Sequence, residues 1–291
     1  TKSLQFIESM QSGRLSSDVK YRIPWRDDSA VNDGSDSGVD LSGGYYVDGD
    51  GYVKSNLPMA YSATTLAWGV IRYERTYQKF DLLPRMHNIL RHFADYFMKC
   101  NPDIYAPLDR RRVFAQVGEK NLDSKFWGRP EEMPFNNRKS YFVSSERPGT
   151  EVAAEMSAAL AAISIVFQNH DLEYSELLIS HAIELNKFAT TYKFDYSKSL
   201  ARVVGGFKSW NGFFDELCWS NLWIYYRTNQ KQYLVKTQAI YRKQVYNRLA
   251  DPFSWDNKHA GIQLLLGEVT HSNKVNYGPM KDFSLYCNTS S

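Results

Sequence analysis

The sequence predicts an all-α domain built from helix pairs. Apolar residues recur at three- and four-residue spacing through most of the chain, and runs that alternate apolar with polar residues are few. The clearest run is 151–169, where Val152, Met156, Leu160, Ile163 and Phe167 share one face. Pro148-Gly149 punctuates the chain just before it, and Thr150 is the expected cap. Similar runs cover 3–10, 59–77, 83–99, 175–191, 214–227, 233–249 and 257–266, which makes eight candidate helices. Long segments separate them at 13–58, 101–148 and 192–213. Connections of that length are uncommon unless they carry a function. No short-period repeat or low-complexity linker divides the chain, so one domain over 1–291 is expected.

Composition bounds the function classes. A chain of 291 residues with 43% hydrophobic and 23% charged residues can bury a core and is not of the disordered type. Lys and Arg number 35 against 32 Asp and Glu, and a net charge of +3 gives no ground for a nucleic acid or anionic membrane partner. No apolar run reaches transmembrane length by this reading. Aromatic residues make up 15%, with 20 Tyr and 7 Trp. Such side chains fill cores, and their flat faces also stack on sugar rings. Cys100, Cys218 and Cys287 are an odd, widely spaced set with no metal-ligand pattern, and Cys218 lies in an apolar helical run as a buried thiol. His170, His181 and His271 have no evident partner and read as surface or packed residues. The chain opens at Thr1 without an initiator Met or signal peptide, as expected of a trimmed product or a fragment.

Chemistry concentrates in 25–59. Trp25-Arg26-Asp27-Asp28-Ser29 leads into Asn32-Asp33-Gly34-Ser35-Asp36-Ser37-Gly38-Val39-Asp40-Leu41-Ser42-Gly43-Gly44-Tyr45-Tyr46, then Val47-Asp48-Gly49-Asp50-Gly51-Tyr52-Val53-Lys54 and Pro58-Met59-Ala60-Tyr61. Carboxylates this dense repel one another unless each has an assigned partner. Two uses fit: a Ca²⁺ loop or solvated acidic turn, and a held carboxylate that deprotonates water at a glycosidic bond.

The literal string resembles glycoside hydrolase family 9, the family of many cellulases. That family carries Trp-Arg-Gly-Asp-Ser, then Gly-Gly-Tyr-Tyr-Asp-Ala-Gly-Asp-His-Val-Lys-Phe and Pro-Met-Ala-Tyr. Further blocks match along nearly the whole chain: Gln11 through Leu15, Asn121 through Met133, Arg147 through Glu155, Gly212 through Trp219, and Phe253 through Gly261. The resemblance implies an (α/α)6 barrel of six helix hairpins and an inverting endo-β-1,4-glucanase acting on cellulose or a related β-glucan. It implies that Asp50 is the base that activates water, with Asp48 as a helper.

Two departures bear on that chemistry. Val47 stands where the family has the first of its two water-holding Asp residues, and Gly51-Tyr52 replaces a single His, so one residue is inserted. The chain also ends before the family's Pro-His-His-Arg loop and its Asn-Glu pair, whose Glu is the general acid. A fragment whose barrel is incomplete at the C-terminus, with the acid outside it, is the expectation.

The resemblance also places Trp127, Arg129, Ser124, Phe207 and Trp255 in the substrate cleft, Ser124 replacing a sugar-binding His. Without it, each Trp reads first as core. Asn211, Gly212, Asp215 and Glu216 resemble a calcium loop to which Asp256 is a distant ligand. A structural Ca²⁺ is one reading, and acidic residues favouring a helix N-terminus is the other. Catalysis by paired carboxylates requires no cofactor. A monomer acting on a polysaccharide outside the cell is expected, and Asn288-Thr289-Ser290 is a glycosylation sequon that secretion would make meaningful. A glucan-binding relative without turnover is the alternative, motivated by Val47 and Ser124.

Overall fold

The computed structural model describes residues 2–47, 51–134, 138–246 and 252–273. Helix α1 (Lys2–Ser9) and the short α2 (Ser17–Arg22) precede the glycine-rich segment, and Ser16 caps α2 by accepting from the Val19 amide. Strand β1 (Lys54–Ser55) leads straight into α3 (Asn56–Lys79), which folds back on α4 (Leu83–Lys99). After β2 (Val113–Val117), the one-turn α5 (Lys120–Asp123) and β3 (Ser140–Val143) comes a second hairpin, α6 (Thr150–Phe167) and α7 (Leu172–Thr191). Asp171 caps α7 through the Tyr174 amide. The one-turn α8 (Tyr196–Ser199), then α9 (Phe214–Thr228), α10 (Lys231–Ile240) and α11 (His259–Asn273) complete the described chain.

Helix α6 lies at the centre, packed between α3 and α9 and covered by α7, while α10 and α11 flank α9. This is the mostly α-helical, hairpin-on-hairpin arrangement that the resemblance implied, that of the six-hairpin (α/α)6 type. Its residues are buried nearly all round, because Ala153, Ala154, Ala158, Ala159, Ala161 and Ala162 let neighbouring helices approach on every side. Seven of the eight expected helices are present among the described residues.

Four expectations need correction. Residues 150–167 do form a helix apolar and long enough to cross a membrane, with mean hydropathy 1.5. It is 94% buried inside the fold, so it is a core helix that polar interruptions at Glu151 and Glu155 disguise in the sequence. Thr150 is not the cap: Gly149 occupies that position, where a Cβ would lie 2.6 Å from both Tyr196 and Val143 side chains. The Thr150 hydroxyl instead accepts from the Phe194 amide at 2.9 Å. The run 233–249 is not one α-helix, since α10 gives way to a π-helical turn at Tyr241–Val245. His170 does have a partner, with Nε2 3.1 Å from Glu74 Oε1. As expected, Cys218 is a buried free thiol, as is Cys100.

The long segments are not all irregular. β1, β2 and β3 form a three-stranded antiparallel sheet in that order, with Lys54 opposite Val117 and Val117 opposite Ser140. β2 is buried at all five positions, so it carries no alternation to read. The sheet fixes the residues after the 48–50 segment to the start of α5, and so positions the site.

Candidate active site

Asp48 and Asp50 lie outside the described residues, but both sides of that segment are placed. On the upstream side Val47 is half-buried against the core, its amide donating to the Val53 carbonyl at 3.1 Å. Downstream, Gly51 is buried against the turn that carries Ser124: a Cβ there would stand 3.8 Å from Asp123 Cβ and from the Ser124 amide nitrogen. Ser124 itself is exposed. The backbone therefore brings Gly51 beside the turn that carries Ser124.

A cavity of about 280 Å³ opens at this junction, lined by Trp25, Tyr46, Gly51, Tyr52, Phe126, Trp127 and Arg129 among others. Trp127 is 87% exposed and Trp25 54%, whereas Trp219 and Trp223 are buried in the core. Large aromatic faces left in water are unusual for packing residues and suit stacking on a sugar ring. The Tyr52 hydroxyl donates to the Gly128 carbonyl, and its ring lies 6.0 Å from Phe126 and 5.4 Å from Tyr46. Arg129 donates to Glu132 Oε1 and to the Trp25 carbonyl at 3.2 Å, so its guanidinium braces the rim of the cavity.

Beneath the cavity lies a buried chain of charges. Lys54 Nζ is 2.7 Å from Asp33 Oδ2. Arg138 Nε donates to Asp33 Oδ1 and its Nη1 to Asp123 Oδ2, both at 3.0 Å. Two cations and two carboxylates make the chain neutral, the condition under which burial is tolerated. Burial pushes the Asp123 carboxyl above its ordinary range, against the pull of Arg138, and pushes the Lys54 ammonium down, against the pull of Asp33. Lys54 also donates to the Leu41 and Gly43 carbonyls at 2.6 and 3.0 Å, so it holds the glycine-rich segment from below.

A second group of expected residues gathers on 205–216 and 252–259. Phe207 and Trp255 are half-buried with rings 6.3 Å apart, edge to face. Asp256 accepts from the Trp210 amide at 2.6 Å and from Asn211 Nδ2 at 3.0 Å. Ser209 Oγ donates to the Gly212 carbonyl at 2.5 Å. Asp215 and Glu216 are buried in the first turn of α9, facing Lys258: the Lys258 amide donates to Asp215 Oδ2 at 2.9 Å, and its Nζ lies 3.2 Å from Glu216 Oε1 and 3.4 Å from Glu155 Oε2. Burial, with Asp215 beside it, raises the Glu216 carboxyl well above its ordinary range. Burial also pushes Glu155 up to about 7 despite Lys258. Among the described residues no three His, Cys, Asp or Glu side chains stand together in metal-holding geometry.

Glycosyl hydrolase family 9 matches residues 1–289. The chain belongs to that family. Endoglucanase A of Bacillus pumilus is 39% identical over 274 residues, which cover 94% of this chain and 40% of that protein. Endoglucanase 17 of Oryza sativa subsp. japonica is 40% identical over 280 residues, covering 95% of this chain and 53% of that one. An endoglucanase structure from the termite Nasutitermes takasagoensis superposes with a TM-score of 0.85 at 39% identity, covering 92% of this chain and 60% of that chain. A cellulase of C. cellulolyticum in complex with cellobiose superposes with a TM-score of 0.80 at 28% identity, over 92% and 60%. The family 9 chain thus spans about half the length of the relatives it matches.

Within this family 9 chain the structure brings Ser124, Trp127 and Arg129 to the 51–52 segment, and pairs Phe207 with Trp255 and Asn211 with Asp256. Trp25, Tyr52, Phe126 and Arg138 were missed as site residues. Trp25 carried a signal, since it opens the matching string. Arg138, an isolated Arg in a long connection, carried none.

Proposed function

We propose that the protein containing this chain is an endo-β-1,4-glucanase that cleaves cellulose or a related β-glucan with inversion. The observation that carries the reading is the exposed Trp127 face on the wall of the cavity that also takes in Gly51 and Tyr52, directly after Asp50. Trp127, Trp25 and the Phe207–Trp255 pair would bind successive glucose rings by stacking. Asp50 would take a proton from a water whose oxygen attacks the anomeric carbon. The glycosidic bond breaks as that oxygen adds, and the leaving O4 is protonated by a carboxylic acid. In inverting enzymes the two carboxyl groups stand about 6.5–9.5 Å apart with the water between them. The acid would come from sequence beyond these 291 residues. A polymeric substrate implies a secreted enzyme. In the full protein, Asp50→Ala should abolish release of reducing ends from soluble cellulose derivatives; undiminished release would remove Asp50 as the base.

Val47 supports a second reading, glucan binding without turnover, because an apolar side chain half-buried against the core cannot hold water. Cello-oligosaccharide binding by a full-length protein that releases no reducing ends would favour it.

A structural Ca²⁺ on the 211–216 loop is a further proposal. Asp215 Oδ1 and Glu216 Oε2 are buried without a protein partner, which suits a cation. Asp256 is already engaged by Asn211, and a Ca²⁺ shell of six to eight oxygens would also need backbone carbonyls such as those of Asn211 and Gly212. The ion would tie loop to loop and take no part in bond cleavage. Added Ca²⁺ should raise Tm and a chelator lower it; a Tm indifferent to both removes the ion.

A further inference from the structure

We propose that Arg138 is a positioning residue that fixes the backbone of Tyr52, directly downstream of the expected base segment, relative to the Trp127 platform, with the Tyr52 side chain as the strut. The inference rests on the glucanase reading above.

The argument begins with the guanidinium. Its five N–H groups form a rigid planar fork, and a fork of that kind serves several acceptors at once only when all are fixed. Nε meets Asp33 Oδ1 at 3.0 Å, from the glycine-rich segment. Nη1 meets Asp123 Oδ2 at 3.0 Å, the residue before Ser124 at the end of α5. Nη2 meets the Tyr52 carbonyl at 2.5 Å, two residues after Asp50, and lies 3.5 Å from the Val117 carbonyl of β2. One side chain thus sets the mutual distances of three segments that are remote in sequence.

Tyr52 extends that control across the cavity. Its backbone carbonyl is held by Arg138, while its hydroxyl donates to the Gly128 carbonyl, next to Trp127. The spacing between the backbone at residue 52 and the platform is therefore the length of one tyrosine. The fork also has a built space. Gly118 adopts φ +88°, and a Cβ there would stand 2.4 Å from Asp123 Oδ2 and 3.0 Å from Arg138 Nη2. Only glycine leaves room for the pair at that position. Arg138 is buried, with its guanidinium 5.9 Å from the centre of the Tyr46 ring.

The consequence for catalysis is geometric. A carboxylate that activates water and an aromatic face that seats the sugar must hold a fixed separation, since displacement of about 1 Å can cost on the order of a hundredfold in rate. Lys at 138 keeps the charge but presents its donors from one point, so it satisfies one carboxylate and releases the rest.

The experiment uses the full-length protein with cellotetraose and a soluble cellulose derivative. Arg138→Lys should lower kcat at least tenfold and raise KM severalfold, with near-UV circular dichroism unchanged. A reduced folded fraction would lower apparent kcat alone and leave KM fixed, so the joint change marks positioning. Guanidinium chloride at tens of millimolar, and not equimolar sodium chloride, should restore part of the activity of Arg138→Ala. Tyr52→Phe, which cuts the strut, should raise KM and lower kcat together, each severalfold, and this arm decides the matter if the Arg138 variants do not fold. Unchanged kcat and KM in folded Arg138→Lys, or an unchanged kcat or KM in Tyr52→Phe, overturns the proposal. A wild-type protein that neither binds cellotetraose nor cleaves the polymer overturns the glucanase reading itself, a failure visible before any variant is made.

Discussion

Glu151→Gln tests how a buried carboxyl sets the pH dependence of this fold. Glu151 stands in the first turn of α6 with no exposure; Oε2 accepts from the Tyr196 amide at 2.9 Å and Oε1 has no partner. Burial pushes its pKa up from 4.5 to about 8, overcoming the amide bonds that favour the ionised form. The native state therefore binds this proton more tightly than the unfolded chain does. Stability from this group is fully present below pH 4.5, declines as pH rises, and is lost above about 8. Raising one carboxyl from 4.5 to about 8 corresponds to about 5 kcal/mol across that window, at ~1.4 kcal/mol per pH unit. Gln has nearly the same shape and no proton to lose. The assay is urea unfolding followed by tryptophan fluorescence between pH 4.5 and 8.5, for wild type and variant. Taking the difference cancels Glu155, whose raised carboxyl acts in the same direction. The variant should gain on the wild type with rising pH, by at most ~1.4 kcal/mol per pH unit for one proton. A difference that stays flat across the range would refute the reasoning, because it would mean that Glu151 ionises alike in both states.

Three other outcomes follow from the same structure. Lys258→Met removes the one ammonium between Glu155 and Glu216 and should cost ~3–5 kcal/mol of stability, read as a fall in Tm at neutral pH; an unchanged Tm would show those carboxyls to be neutral without it. Trp127→Ala should weaken cellotetraose binding about tenfold by isothermal titration, matching ~1–1.5 kcal/mol of aromatic contact, and leave Tm alone because the side chain is 87% exposed. Gly118→Ala should destabilise by ~1–3 kcal/mol through backbone strain and collapse the Arg138 fork, lowering both Tm and turnover; wild-type turnover in that variant would argue against the fork.

Much of the fold was legible because helices write their period into sequence. The 83–99 run matches α4 residue for residue, and 214–227 differs from α9 by one position. What was not legible is what tertiary packing decides. β2 shows no alternation because both of its faces are covered, and Gly149 takes the cap because Tyr196 and Val143 leave no space for a side chain. The site divides the same way. Its glycine-rich string is recognisable letter by letter, but Trp127 and Trp219 are the same letter, and only the fold leaves one in water and the other in the core. Asp215 and Glu216 read as metal ligands or as helix-start acids; that Lys258 sits between Glu216 and Glu155 depends on α9 and α6 lying side by side.

The cleft's charge chain has a further meaning for how the molecule comes to be folded. Arg26 pairs with Glu131, Asp33 with Arg138, and Asp36 with Ser140, each across 104 or 105 residues. Residues 26, 33 and 36 are thus fastened in step to residues 131, 138 and 140, and the α3–α4 hairpin lies in the chain between them. Contacts of short range form before long loops close. On the ribosome the first set must wait, with its charges in water, while the intervening hairpin packs and the second set is synthesised. These contacts can therefore close only after residue 140 has been made, well after the α3–α4 hairpin between them can form.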